Sequence, residues 1–189
     1  MPAAQPSGPP YALELLETVD QIHAVRTEVA DVYGAAFGAA EYAAAGVDAA
    51  AFRDEQLPRH AERAGFRLVL ARTAAGPVGF AYGYTGGPGQ WWTERIRERI
   101  PAELAAEWLD GHFEFVELGV VPGAQRQGIG SAVHDALLDG LPHDRALLTT
   151  WMDDSRPARR LYRRKGWLAL AQIEDDSMLL GLRLPRAAT

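Results

Sequence analysis

The residues whose types and spacing carry the most chemistry lie in one run. Phe113-Glu114-Phe115-Val116-Glu117-Leu118-Gly119-Val120-Val121 is an apolar, strand-like stretch that carries two carboxylates and stops at Pro122. A short turn follows, and then Gln125-Arg126-Gln127-Gly128-Ile129-Gly130-Ser131 opens a helical pattern. A strand that feeds a glycine-rich loop and then a helix N-terminus is an anion cradle. Backbone N–H groups without intrahelical partners converge there, and the helix dipole adds partial positive charge. Glycine lets the backbone approach a phosphate with no Cβ in the way. The pattern therefore predicts a phosphate-bearing cofactor near Arg126 to Ser131. It lacks the G-x-x-x-x-G-K-[ST] form of a nucleotide-hydrolysing P-loop, and it is not a full G-x-G-x-x-G dinucleotide fingerprint.

Glu114 and Glu117 stand three residues apart. On a regular strand they point to opposite faces, so only one faces a substrate unless a bulge intervenes. Each also has a plainer reading as a salt-bridge or helix-cap partner. A second run, Ser155-Arg156-Pro157-Ala158-Arg159-Arg160-Leu161-Tyr162-Arg163-Arg164-Lys165-Gly166-Trp167, reads as a helix with Pro157 in its first turn and Gly166 as its stop. Arg156, Arg159, Arg160, Arg163 and Arg164 share one face of that helix, read first as solvated, with a phosphate contact as the sharper alternative. The histidines show no H-x-x-x-H or H-E-x-x-H spacing, so no metal is expected, and surface or capping roles are expected for them. Cysteine is absent, which removes disulfides, thiolate metal sites and a cysteine nucleophile.

The elements that must position these groups follow from periodicity. Tyr11 to Leu16 reads as a first strand. Thr18-Val19-Asp20-Gln21 has the form of a capping box, and Ile22, Val25, Val29 and Tyr33 then recur at helical spacing. The Ala-rich stretch from Ala39 to Ala64 predicts one or two short helices broken near Gly46 and Pro58. Phe66 to Arg72 and Val78 to Thr85, joined by Ala74-Ala75-Gly76-Pro77, predict a hairpin. Gly86-Gly87-Pro88-Gly89 breaks the pattern, and a helical insert runs from about Trp91 to Trp108. A strand to Val121, a helix from Ile129 to Leu141, a strand from Ala146 to Met152, the helix from Ser155 to Lys165 and a closing strand pair (Trp167 to Ala171, Met178 to Leu184) complete the order. Such mixed alternation ending in strands predicts an α/β (α+β) fold, with a mixed, mostly antiparallel sheet of about seven strands flanked by helices.

The insert, residues 86–111, holds Trp91, Trp92 and Trp108 beside Glu94, Glu98, Glu103, Glu107 and Asp110. Aromatic and acidic groups there could close over an organic cation, with the preceding glycines as a hinge. The alternative is an amphipathic segment whose tryptophans complete the core or a dimer contact. A chain of 189 residues, 48% hydrophobic and 23% charged, fits a single globular domain, here 11–184, with a disordered lead-in at 1–10 and a loose tail at 185–189. A net charge of −6 argues against a nucleic-acid or anionic-membrane partner and suits a cationic substrate. No apolar run reaches membrane-helix length and the N-terminus lacks a basic leader, so a cytoplasmic location is expected.

The loop resembles the pyrophosphate-binding motif of the GNAT family of N-acetyltransferases, [Gln/Arg]-x-x-Gly-x-[Gly/Ala]. Gln125, Gly128 and Gly130 fill its fixed places, and Val120 and Pro122 fill the usual Val-x-Pro approach. Ser155 to Trp167 looks like the family's penultimate motif, in which a polar residue, often Asn, opens a helix, a Leu-Tyr pair follows and a Gly-aromatic pair ends it. Ser155 takes the Asn place, a departure that keeps a cap and weakens any amide contact. The resemblance covers about residues 11–184.

The resemblance implies acetyl transfer from acetyl-coenzyme A to an amine, with no metal. Cofactor contacts are then expected at Leu118, Gly119, Val120, Gln125, Arg126, Gln127, Gly128, Ile129, Gly130, Ser131 and Ser155. The pantetheine arm would pair with the backbone of Leu118 and Val120, and the oxyanion donor would be a backbone N–H near Val120. Tyr162 matches the family's usual general acid; a phenol with a pKa of about 10 stays protonated at neutral pH and can give its proton to a departing thiolate. Its plainer reading is a half-buried helix aromatic. Glu114 matches the base position of several branches and is preferred, with Glu117 second and a base acting through water also open. Another branch keeps a Glu where this chain has Thr150. Without a cysteine nucleophile, direct attack by the amine in a ternary complex is the simplest path. Trp91 and Trp92 are the expected substrate contacts. The leading acceptor is a small-molecule amine, such as a polyamine or amino-sugar. The rivals are a protein N-terminal or lysine acetyltransferase, whose groove the insert would crowd, and a non-catalytic acyl-coenzyme A-binding module. The acceptor, the acyl length and the oligomeric state, a homodimer included, stay open.

Overall fold

The computed structural model describes residues 10–38 and 46–185. Nearly all of the expected lead-in and tail, and the beginning of the Ala-rich stretch, lie outside the described residues. Seven strands, β1 Ala12–Leu16, β2 Arg67–Thr73, β3 Gly76–Thr85, β4 Phe113–Val120, β5 Arg145–Trp151, β6 Leu168–Glu174 and β7 Ser177–Arg183, form one sheet in the order β1-β2-β3-β4-β5-β7-β6. Every neighbouring pair is antiparallel except β4 and β5. The helices are α1 Val19–Phe37, α2 Ala49–Ala51, α3 Leu57–Ala61, α4 Trp91–Arg97, α5 Ala102–Trp108, α6 Ile129–Leu138 and α7 Pro157–Arg164.

Helix α1 starts where its capping box requires. The Gln21 N–H donates to the Thr18 hydroxyl at 3.3 Å, and the Thr18 N–H donates to the Gln21 side-chain carbonyl at 3.0 Å. Its Ile22, Val25, Val29 and Val32 are buried against Leu68, Leu70, Phe80, Tyr82 and Tyr84 of the sheet. The expected break at Pro58 does not occur. A π-helical turn, Phe52–Gln56, joins α2 to α3, and the Leu57 N–H reaches back to the Phe52 carbonyl. Proline lacks a donor and crowds the carbonyl four residues back, and the wider turn relieves both defects without ending the helix.

The opposite face of the sheet packs Val69, Ala81 and Phe115 against Val133 and Leu137 of α6 and Tyr162 of α7. The insert forms two helices rather than one, because Pro101 cannot extend α4 and instead opens α5. Ile96, Ile100, Trp108 and Leu109 pack on Leu147 and Leu179. Leu147 lies beside Glu114 in the parallel β4/β5 register and so shares its face, the α1 side. The α1 side is thus covered by α1–α3 on one half and by α4–α5 on the other, with β4 between them. Trp108 is a core residue, 3% exposed. Gly181 makes room for it: a Cβ there would lie 2.5 Å from the Trp108 ring.

Candidate active site

Strand β4 is irregular where its carboxylates stand. Against β3, Glu114 pairs with Tyr84, Phe115 with Gly83 and Glu117 with Tyr82, so Val116 has no opposite number. This is a one-residue bulge, and it reverses the alternation of side chains beyond it. Glu114 and Glu117 therefore share the α1 face, which corrects the expectation of opposite faces. The Tyr84 hydroxyl donates to Glu114 Oε1 at 3.0 Å, and the Glu117 charge bears on Tyr33 of α1 and on Tyr82, as a shared face requires. Gly83 permits the bulge, because a Cβ there would sit 2.3 Å from the Glu114 carbonyl oxygen.

Beyond Glu114 the sheet opens. The parallel register of β4 and β5 consists of Phe113 with Ala146 and Glu114 with Leu147 alone. The Val121 N–H donates to Val78 of the β3 side at 3.0 Å. Alternation along the strand then turns the N–H groups of Leu118 and Val120 toward the opening, unpaired by β5.

The loop after β4 is held by its own side chains. A 3-10 turn, Pro122–Ala124, leads into it. The Gln125 amide donates to the Val120 carbonyl and the Gln127 amide to the Gly123 carbonyl, each at 3.2 Å. These two glutamines brace the loop from within. Arg126 at φ +62° and Gly128 at φ +84° both lie in the left-handed region and bend the chain into α6. The first intrahelical bond runs from the Ala132 N–H to the Gly128 carbonyl at 3.0 Å, so the N–H groups of Ile129, Gly130 and Ser131 precede the ladder. A Cβ on Gly130 would lie 3.7–3.9 Å from Val120, Leu118 and Leu161 side chains. The open edge of β4, the start of α6 and helix α7 therefore meet at one place. Free N–H donors, a ten-residue helix dipole and exposed glycine backbone fit a diphosphate.

Ser155 does not cap α7. The N-cap residue is Arg156 without a side-chain cap bond, and the Ser155 N–H donates to the Asp153 carboxylate at 2.8 Å. Tyr162 is buried rather than half-buried, 7% exposed, with ring centroids of Phe115 and Trp167 at 6.1 and 5.6 Å. Arg159 is tied to Asp154 at 2.9 Å, and Arg156 lies over Trp151 at 4.8 Å, so these two members of the basic face have local partners.

The α1 face around the two carboxylates is strongly desolvated. Glu114 is 4% exposed, and burial pushes its pKa up to about 7 against the pull of the Tyr84 hydrogen bond and Arg63. Glu117 is half-buried, and desolvation pushes it up to about 7 as well. Among the described residues neither carboxylate forms an ion pair. His60 of α3 places Nδ1 3.0 Å from the Tyr82 hydroxyl, which also accepts from Gln56 at 3.2 Å. Burial, then Arg59 and Arg63, lower His60 to about 4, so it is neutral at pH 7. Tyr33 is raised to about 12, first by burial and then by the Glu117 charge. Sequence reasoning singled out neither His60 nor Tyr82 and Tyr84 as site residues. The available signal was the Tyr82-x-Tyr84 alternation and the glycines inside β3, which mark close backbone approach.

The histidines also depart from expectation, because His112 and His134 are buried, at 0% and 2% exposure. The Trp167 indole N–H donates to His134 Nε2 at 2.9 Å, and His134 Nδ1 faces Asp135, which pairs with Lys165. This chain of contacts locks the end of α7 onto α6. Of the expected substrate contacts, Trp91 is 69% exposed with Arg95 over its ring at 5.2 Å. Trp92 packs with its ring 5.7 Å from that of His112. The structure does not bring Trp91 to the carboxylates.

The model of the acetyltransferase (GNAT) family matches residues 28–167, most of the chain. The chain belongs to the GNAT acetyltransferase family. Acetyl-coenzyme A is that family's co-substrate, and the braced loop, the first turn of α6 and the open edge of β4 suit it. The chain is 39% identical over 97 residues to a GCN5-like protein acetyltransferase of Mycobacterium tuberculosis, a match covering 48% of this chain and 47% of that one. The chain thus spans about half the length of this relative. Among solved structures, a Pyrococcus horikoshii protein aligns with a TM-score of 0.66 at 18% identity, over 93% of this chain and 99% of that one. The ribosomal-protein-S18-alanine N-acetyltransferase of Escherichia coli aligns at 0.55 and 15% identity, over 94% and 96%. At such identities the structural likeness concerns the GNAT fold alone. No helix among the described residues is long and apolar enough to cross a membrane.

Proposed function

We propose that this protein transfers an acetyl group from acetyl-coenzyme A directly to the primary amine of a small cationic molecule. The observation that carries the reading is the pair of carboxylates on one face of β4, Glu114 buried and Glu117 half-buried, without ion-pair partners among the described residues and beside an unpaired strand edge. When bound, the coenzyme supplies the activated thioester; everything else falls to this chain. Glu114, with a pKa near neutrality, takes the proton that the acceptor ammonium must lose, directly or through one water. The N–H groups of Leu118 and Val120 face the opening, where they can hydrogen-bond the oxygen on which charge develops. Tyr162 holds a proton for the departing sulfur, and the N–H groups of Ile129, Gly130 and Ser131 take the pyrophosphate. Gln125 and Gln127 act through the shape of the loop.

Coverage of the α1 face on both sides of β4 favours a small acceptor. A protein acceptor is the second reading, favoured by the name of the mycobacterial relative. A thiol-release assay with acetyl-coenzyme A and separate panels of polyamines, amino-sugars, amino acids and peptides tests both. Release that requires a small amine supports the first reading. Release with peptides alone supports the second. Coenzyme binding without release in any panel points to a non-catalytic binding module.

A further inference from the structure

We propose that Glu117 forms a second cation subsite, so that the acceptor carries two ammonium groups, one reacting beside Glu114 and one held by Glu117. The proposal rests on the transferase reading above and names its acceptor class.

The bulge sets the spacing. Because Tyr84 faces Glu114 and Tyr82 faces Glu117, the two carboxylates are separated by two residues of β3 rather than three. At roughly 3.4 Å per residue this is about 7 Å along the strand. Both acids retain unused acceptor capacity. Glu114 Oε1 accepts from Tyr84, while its Oε2 is buried without a partner. The Glu117 side chain has no hydrogen bond or ion pair among the described residues, and its backbone pairs with Tyr82 in the sheet. Two cations bear on this region: Arg63 sits over the Tyr84 ring at 6.0 Å and acts on Glu114, and Arg59 acts on Tyr84 and His60.

Nothing in the packing calls for a carboxylate at Glu117, and desolvating an unpaired one opposes folding. Aromatic rings flank it: Tyr82 stands opposite Glu117 in the sheet and on the same face, and Tyr33, on which the Glu117 charge bears, stacks on Phe52 with centroids 4.1 Å apart and ring planes 1° from parallel. Tyr33 also meets Phe37 at 5.1 Å. A carboxylate against aromatic rings is suited to an alkylammonium group. Two ammonium nitrogens joined by four or five methylenes are about 6–8 Å apart when extended, from bonds of ~1.5 Å. That span matches the spacing of the two acids. Linear diamines and polyamines of this reach are the ligand class.

The test compares putrescine and cadaverine with butylamine and pentylamine, in the wild type and in Glu117→Gln. Thiol release gives kcat and KM, and calorimetry of the same amines gives binding directly. The wild type should favour each diamine over its monoamine about tenfold or more in kcat/KM. Glu117→Gln should reduce that ratio about ten- to a hundredfold, mainly through KM, with a matching loss of diamine binding. An unchanged ratio overturns the subsite, and an equal loss for both amines would mean that Glu117 acts on the reacting nitrogen instead. Turnover of other amines with no diamine preference sinks this proposal and leaves the transferase reading intact. If no amine turns over, the transferase reading fails, and calorimetry still decides whether Glu117 binds a second ammonium.

Discussion

Replacing Glu117 by glutamine should stabilise the protein, and only where the carboxylate would be charged. Burial moves this acid from an ordinary 4.5 to about 7 in the folded chain. The folded state therefore binds its proton more tightly than the unfolded state does. Stability from this group is fully present below pH 4.5 and is lost as pH rises through about 7. The difference between the two values corresponds to about 3 kcal/mol at full ionisation. Glutamine keeps the shape and never ionises, so the variant escapes the loss. The expected gain is about 2–3 kcal/mol at pH 8.5, or about 6–10 °C in Tm for a chain of this size. At pH 5 the gain should fall below about 1 kcal/mol. Urea unfolding of both proteins at the two pH values measures the effect. A gap that does not widen with pH, or a variant that is less stable at pH 8.5, would refute the reasoning. Either result would mean that the folded chain neutralises Glu117 with a partner. A stabilising substitution at a site residue is the expected mark of a group kept for function.

Three further predictions follow from the geometry. Tyr84→Phe removes the hydrogen bond that holds the Glu114 pKa down; the acid limb of kcat/KM should move about one pH unit alkaline, with the high-pH plateau little changed. Tyr162→Phe should lower turnover about a hundredfold while coenzyme affinity, read by calorimetry, stays within about twofold; unchanged turnover removes Tyr162 as the acid. Gly128→Ala places a Cβ on a residue at φ +84°, which should cost about 1–2 kcal/mol in urea unfolding and weaken coenzyme binding in the same variant.

Legibility in the sequence followed the range of the signal. The strand, loop and helix start from β4 to α6 were legible because each part is local: a strand, a proline, two glycines and a helical period within one run. The capping box of α1 and the β2–β3 hairpin were legible for the same reason. The shared face of Glu114 and Glu117 was not, because it depends on which residue of β3 faces which residue of β4, and Val116 itself carries no mark of a bulge. His60 and Tyr82 lie 22 residues apart and meet through the π-turn and the sheet register, neither of which a local pattern encodes. Proline was misleading at position 58, where a wider helical turn absorbs it, and was overlooked at position 101, where it divides the insert. Histidine spacing excluded common metal motifs but carried no information on burial, which for His134 is set by a distant tryptophan.

The central claim is transfer of acetyl to an amine by a site built on β4. Its most direct test uses acetyl-coenzyme A labelled in the acetyl group, with mass spectrometry of the acceptor amine after reaction with the wild type, Glu114→Gln and Tyr162→Phe. The account predicts that the acceptor gains one labelled acetyl group with the wild type, and that both variants slow this gain while still binding the coenzyme. Label that remains on the coenzyme, or that appears only as free acetate, would contradict it.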